Sequence, residues 1–266
     1  MATNDSYEPG TPSWVDYMAA DLDAAKTFYS TIFGWELDDQ FDPDGNHIYT
    51  GATKDGKRVA GLFAQPGELA DQGVPPMWNT YVTVADADAA MEAVTAAGGS
   101  VIMPPMDVME HGRMASFLDP TGAAFSTWQP RNHNGAELVN EPGSLVWNEL
   151  VTPDIATASE FYAKVFAWQA ADNPMGDEEY TVFHLADTTP EQAIAGGMAP
   201  PMPQIPTHWS VYFGVQDTDA TIEAATGAGA RLMGEPQDSP FGRTAHLLDP
   251  QGGAFAILGL GLGNSS

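Results

Sequence analysis

"FYSTIFGWELDD" at residues 28–39 and "FYAKVFAWQAAD" at residues 161–172 are near-copies, sharing Phe, Tyr, Phe, Trp and Asp in step. Aligned partners lie 133 residues apart, half of a 266-residue chain. A repeat at a fixed offset marks a supersecondary unit used more than once, so it is followed in both directions. Upstream, Trp14-Val15-Asp16-Tyr17-Met18 aligns with Trp147-Asn148-Glu149-Leu150-Val151, and both read as short strands. Each leads to an aspartate, Asp21 or Asp154, of the type that caps a helix N-terminus. In the helix that follows, Leu22, Ala25, Tyr29 and Ile32 share one face, matched by Ile155, Ala158, Tyr162 and Val165.

A fainter form of the unit lies between these copies. "WNTYVTVADADAAMEAVTAAGG" (78–99) and "WSVYFGVQDTDATIEAATGAGA" (209–230) each read as strand, cap (Asp86, Asp217), helix, and a glycine past the helix end (Gly98, Gly229). "GRMASFLDPTGAAFSTW" (112–128) and "GRTAHLLDPQGGAFAIL" (242–258) then form hairpins around Asp-Pro-x-Gly, where Pro sets φ and Gly permits a positive one. The pattern β-α-β-β-β therefore occurs four times, over 13–66, 77–130, 146–201 and 208–260. The expectation is an α+β chain with a flexible tail over 1–12, a first domain over 13–130, a polar linker over 131–143 and a second domain over 144–260.

Composition narrows the function classes. Nine Lys+Arg against 36 Asp+Glu give a formal charge of −27, which repels phosphate backbones and anionic lipid. No nucleic-acid or membrane partner is expected, and a small-molecule ligand is. With no cysteine, disulfides, thiolate nucleophiles and thiolate metal sites are all excluded. No basic, apolar leader opens the chain and no run of 18 apolar residues occurs, so a cytoplasmic setting is the expectation. Four modules already complete two domains, so either a monomer or a homodimer satisfies the pattern.

A helix reading DxxxAxxFYxxxFGW after a strand, followed by a GR…DPxGaxF hairpin, resembles the vicinal oxygen chelate superfamily, the glyoxalase, bleomycin-resistance and extradiol-dioxygenase group. The resemblance covers nearly the whole chain after residue 12, and its duplicated form is similar to actinobacterial glyoxalase-like or hydroxylase proteins. It implies that paired modules curl their mixed sheets into a cup holding a ligand or metal, backed by the helices that carry the repeated phrase. It also implies where metal ligands would stand. The first-strand positions are here Trp14, Asn79, Trp147 and Ser210, and the last-strand positions are Ser126 and Ala256. Trp and Ala offer no donor, and Ser and Asn are poor ligands for Zn, Ni or Fe(II). No metal and no cofactor are expected at these positions.

Side chains two apart on a strand share a face, so Trp14 goes with Asp16 and Trp147 with Glu149. The candidate ligand-binding set is Trp14, Asp16, Asn79, Tyr81, Ser126 and Trp128 in the first cup, and Trp147, Glu149, Ser210 and Tyr212 in the second. Ala256 and Leu258 would make the second more apolar, which favours the first as the working cup. Aromatic walls with a few polar groups suit a small aromatic or apolar guest. Three roles stand open for Asp16 and Glu149: ion pairs with Arg113 and Arg243, contact with a ligand, or acid–base chemistry. Metal-free binding is the leading function. The alternative is a glyoxalase-like lyase or an oxygenase acting on an aromatic natural product, with His184, His208 and His246 as a non-standard metal set. A chain whose cups are filled by its own side chains is the third reading.

Overall fold

The computed structural model describes residues 4–173 and 179–261. The first module runs β1 (Pro12–Ala19), α1 (Leu22–Phe33), β2 (Glu36–Phe41), β3 (His47–Lys54) and β4 (Lys57–Ala64). A one-turn helix, α2 (Gly67–Asp71), joins it to β5 (Met77–Thr83), α3 (Ala87–Ala96), β6 (Ser100–Val108), β7 (Gly112–Leu118) and β8 (Ala124–Pro130). The third module is β9 (Leu145–Val151), α4 (Ile155–Phe166), β10 (Gln169–Asp172), β11 (Tyr180–His184) and β12 (Ala195–Met198). The fourth is β13 (His208–Val215), α5 (Thr218–Gly227), β14 (Arg231–Leu232), β15 (Gln237–Ser239), β16 (Gly242–Leu248) and β17 (Ala254–Gly259). The four expected units are present, and the fourth carries one additional short strand.

Local chemistry accounts for the helix starts. Asp21, Asp86, Asp154 and Asp217 each accept a backbone N–H two or three residues on, which satisfies a donor the first turn would leave unpaired. At the other end of α1, Gly34 takes φ 67°; its repeat partner Ala167 takes φ 57°, a left-handed conformation held against the Cβ penalty.

Each half builds one mixed sheet. The first has the order β2-β3-β4-β1-β5-β8-β7-β6; the second runs β10-β11-β12-β9-β13-β17-β16-β14, with β15 on β16. The modules meet antiparallel at their first strands, Asp16 opposite Asn79 and Glu149 opposite Ser210. The halves then pack through their helix-bearing faces, and Thr80 donates to Asn148 (2.9 Å) between the two central strands.

The resemblance implies helices that back their own sheets only; here they also pack against the other half. Phe28, Tyr29 and Phe33 of α1 pack on Phe213 and Phe255 of the fourth module, while Phe161, Tyr162 and Phe166 of α4 pack on Phe125 of the second. The hydrogen bonds cross in the same way. Tyr29 donates to Asp249 (2.8 Å) and Tyr162 to Asp119 (2.9 Å). These aspartates belong to the Asp-Pro-x-Gly turns, whose amides they also hold: Asp119 accepts from Thr121 and Ala123, Asp249 from Gln251 and Gly253. One carboxylate thus shapes a turn with one oxygen and binds the other half with its second. Trp78 and Trp209 close each network by donating to the tyrosine oxygen.

The expected flexible tail is instead anchored over residues 4–11. Gly10 donates to the Thr83 carbonyl, Thr83 donates back to Thr11, and Asn4 donates to the Glu137 carbonyl. Trp168 donates to the Gly10 carbonyl as Trp35 does to that of Gly143, 133 residues later. The segment before β1 is therefore the counterpart of the linker before β9, and Pro12 and Ser13 already belong to β1.

Candidate functional site

The face of each sheet opposite the helices carries the same polar motif. On β1, Trp14 and Asp16 lie side by side, with Tyr81 and Asn79 opposite them on β5. Asn79 donates to Asp16 Oδ1 (2.9 Å), and Tyr81 and Tyr49 donate to Oδ2 (3.0 and 3.3 Å). Trp14 Nε1 in turn donates to the Tyr49 hydroxyl (3.0 Å). In the second half, Tyr180 of β11 and Tyr212 of β13 donate to Glu149 of β9 (2.8 and 2.6 Å), and Trp147 Nε1 donates to Tyr180 (2.9 Å). Of the ten candidate residues, Ser126 stands beside Tyr81 in register and Ser210 opposite Glu149, six falling in the first half and four in the second.

Burial drives the electrostatics of the first cluster. Asp16 is 4 % exposed, and loss of solvent raises its pKa to about 6 against the opposing pull of Asn79, Tyr81 and Tyr49. Burial, together with the adjacent carboxylate, raises Tyr49, Tyr81, Tyr180 and Tyr212, so all four stay protonated as donors. Ion pairing with the repeated arginines is not the arrangement found. Arg113 holds Asp88 and Asp107, and Arg243 holds Asp219 and Asp238, all on the exposed rim.

Two participants escaped the sequence reading. Tyr49 and Tyr180 come from β3 and β11, which lie one strand away from β1 and β9, in a register no local motif encodes. Each crosses a glycine on the intervening strand: a Cβ on Gly61 would meet the Tyr49 hydroxyl, and one on Gly196 the Tyr180 hydroxyl. Tyr49/Tyr180 at an offset of 131 and Gly61/Gly196 at 135 were a legible signal, masked by the drift in offset.

The cups differ at several matched positions, Asn79/Ser210 and Trp128/Leu258 among them, and most of all in one cross-strand pair. Ser116 faces Ser126 in the first and the hydroxyls bond (2.8 Å); in the second His246 faces Ala256. His246 is exposed, and its Nε2 lies 3.4 Å from the Tyr212 hydroxyl. His184 and His208 turn their Nδ1 atoms to the carbonyls of Leu185 and Pro206, and His208 stands near enough to help lower the His246 pKa. Among the described residues no group of three or more His, Asp or Glu is placed to hold a metal ion. A metal of the kind that family enzymes use does not fit the first cup. Its one carboxylate already accepts three hydrogen bonds, and the remaining donors are neutral Asn, Ser and Tyr. In the second, no third described ligand is grouped with Glu149 and the His246 imidazole.

Met114 packs with Trp14, Tyr81 and Trp128 on the first cup, whereas Met106, its partner on the edge strand, and Met109 are exposed. Of the glycine-rich end 259–263, residues 262 and 263 lie outside the described residues. Among the described residues no helix is long and apolar enough to cross a membrane.

Comparison with known proteins agrees with this architecture. The model of the Glyoxalase/Bleomycin resistance protein/Dioxygenase superfamily matches twice, at residues 11–127 and 136–257. CFP32 of Mycobacterium tuberculosis, provisionally named a glyoxylase, is 44% identical over 262 residues, covering 97% of this chain and 98% of that one. The anthracycline biosynthesis protein DnrV of Streptomyces peucetius is 40% identical over 268 residues, covering 96% and 94%. In three dimensions, the Mn(II)-bound glyoxalase of Novosphingobium aromaticivorans superposes with TM-score 0.64 at 16% identity over 95% of this chain and 82% of that one. The 2,3-dioxygenase LapB of Pseudomonas gives 0.61 at 16% over 94% and 92%. At that identity the two structures share the fold alone.

Proposed function

The chain belongs to the Glyoxalase/Bleomycin resistance protein/Dioxygenase superfamily, and from that premise we propose that it binds a small, planar, hydroxylated aromatic molecule in its second cup without a protein-held metal. The observation that carries this reading is Glu149, a buried carboxylate held by two tyrosines beneath the half-buried face of Trp147. An indole face stacks on an aromatic ring, and a carboxylate at the base of the wall accepts from a ring hydroxyl; such a contact to a charged group contributes about 1.5–3 kcal/mol. Ser210 opposite Glu149 and His246 beside Tyr212 complete the polar side. Kinship with proteins named for anthracycline biosynthesis supports a planar aromatic guest.

The test is calorimetric titration of the chain with 1,4-dihydroxyanthraquinone in the presence of EDTA. Saturable binding is expected, weakened at least tenfold in Glu149→Gln, which is about 1.4 kcal/mol. Binding that survives Glu149→Gln unchanged, or that returns only when a divalent metal is restored, would overturn the reading. One observation favours catalysis in the same cup: His246 joined to Glu149 through Tyr212 couples an exposed titratable ring to a buried carboxylate. That second reading requires turnover of a bound aromatic substrate that His246→Gln abolishes while binding persists.

A further inference from the structure

The two cups share a motif but not a surface. Over the first lies the linker that the sequence marks only as polar and glycine-containing. Its His133 ring stands edge-on to Trp14, with centroids 4.4 Å apart, and also contacts Trp128 at 5.6 Å. Trp128 Nε1 donates to the His133 carbonyl (2.7 Å). Beneath it Trp14, Tyr81, Trp128 and Ala136 form one buried cluster, Trp14 and Trp128 being only 5 % and 6 % exposed.

This segment is built into place. His133 N–H donates to the His111 carbonyl, and Ala136 N–H donates to that of Ser13. Tyr7 donates to the Ala136 carbonyl (2.7 Å) and Asn134 to that of Asp5 (2.7 Å). Gly135 takes φ 113°, and a Cβ there would meet the Ser13 carbonyl, so the chain passes as close to β1 as backbone allows. Burial, with Arg58 and His111 nearby, lowers the His133 pKa to about 4, so a neutral ring meets the two tryptophans edge-on. In the second half, Trp147 is half-buried and His246 is exposed, and no described ring stands against Trp147 as His133 stands edge-on to Trp14.

We propose that residues 131–136 are a built-in plug of the first cup, with the His133 imidazole in the position of an aromatic guest. The cup beneath is a latent site of the same ligand class as the second, and the chain takes one ligand where its duplication would allow two. The number of ligands rests on the second-cup reading; the plug does not.

The test labels all seven tryptophans with fluorine and assigns the resonances by single Trp→Phe variants. The Trp35 and Trp168 signals, both from buried core positions, report that each variant is folded. The first arm uses no ligand. The H2O/D2O shift of Trp14 is expected to be small in wild type and in His133→Phe, which keeps the ring, and several-fold larger in His133→Ala. Equal shifts in wild type and His133→Ala overturn the plug. The second arm adds 1,4-dihydroxyanthraquinone. Wild type is expected to shift Trp147 alone with a stoichiometry of one, and His133→Ala to shift Trp14 as well with a stoichiometry of two. Movement of Trp14 in wild type overturns the plug and leaves the second-cup reading intact. If Trp147 does not move, the second-cup reading fails while the first arm still decides the plug. A Trp14 exposed in His133→Ala yet unmoved by a probe that moves Trp147 overturns the latent site.

Discussion

Asp16→Asn should flatten the pH dependence of stability across the weakly acidic range. Asp16 titrates at about 6 in the folded chain and at 3.8 when unperturbed, because burial penalises its charge more than Asn79, Tyr81 and Tyr49 favour it. The folded state therefore holds more protons than the unfolded one between these values, and stability falls as pH rises through that window. The contribution is fully present below pH 3.8 and lost above 6. The gap of about two pKa units corresponds to roughly 3 kcal/mol, of which about 2–3 kcal/mol appears between pH 4 and 7. Asparagine does not titrate, and the other acidic groups cancel in the comparison. Urea denaturation of both proteins at half-unit steps should show the wild-type advantage over Asp16→Asn shrinking by that amount from pH 4 to 7. A flat difference, or one that grows with pH, would refute the argument that desolvation dominates this carboxylate. Carbon-13 titration of the Asp16 carboxyl should give a midpoint near 6, falling in His133→Ala as water reaches the cup.

Three other outcomes follow from the same contacts. Tyr29→Phe strips a charge-assisted bond from Asp249 and the acceptor from Trp78, so thermal or urea melts should show a loss of about 3–5 kcal/mol, with Tyr162→Phe matching it from the other half. Gly61→Ala drives a methyl into the Tyr49 hydroxyl, and displacing that ring should cost about 1–3 kcal/mol in urea melts and shift the Asp16 carboxyl resonance. Arg113→Ala and Arg243→Ala remove only exposed pairs, so the urea midpoint and the Asp16 titration should both stay where they are in wild type.

What the chain determined by itself was everything that depends on neighbours in sequence. Four aspartate caps, two Asp-Pro-x-Gly turns and the period of the apolar stripes are short-range features, and each produced the element it spelled. Strand alternation placed Trp14 with Asp16 and Trp147 with Glu149 on a common face, because a side-chain period of two needs no tertiary information. Only the tertiary structure decided who meets those side chains. Tyr49 and Tyr180 reach the carboxylates through strand register, and register is set by packing across the sheet. The arginines stepped in repeat with the carboxylates turned to rim aspartates instead, since equal spacing along two strands says nothing of the face each presents. Tyr29 and Tyr162 lock the opposite half because the helices lie between two sheets, a placement that exists only once both sheets have formed. His133, in a stretch that reads as plain linker, came to cover Trp14 because the path from β8 to β9 crosses the mouth of the first cup.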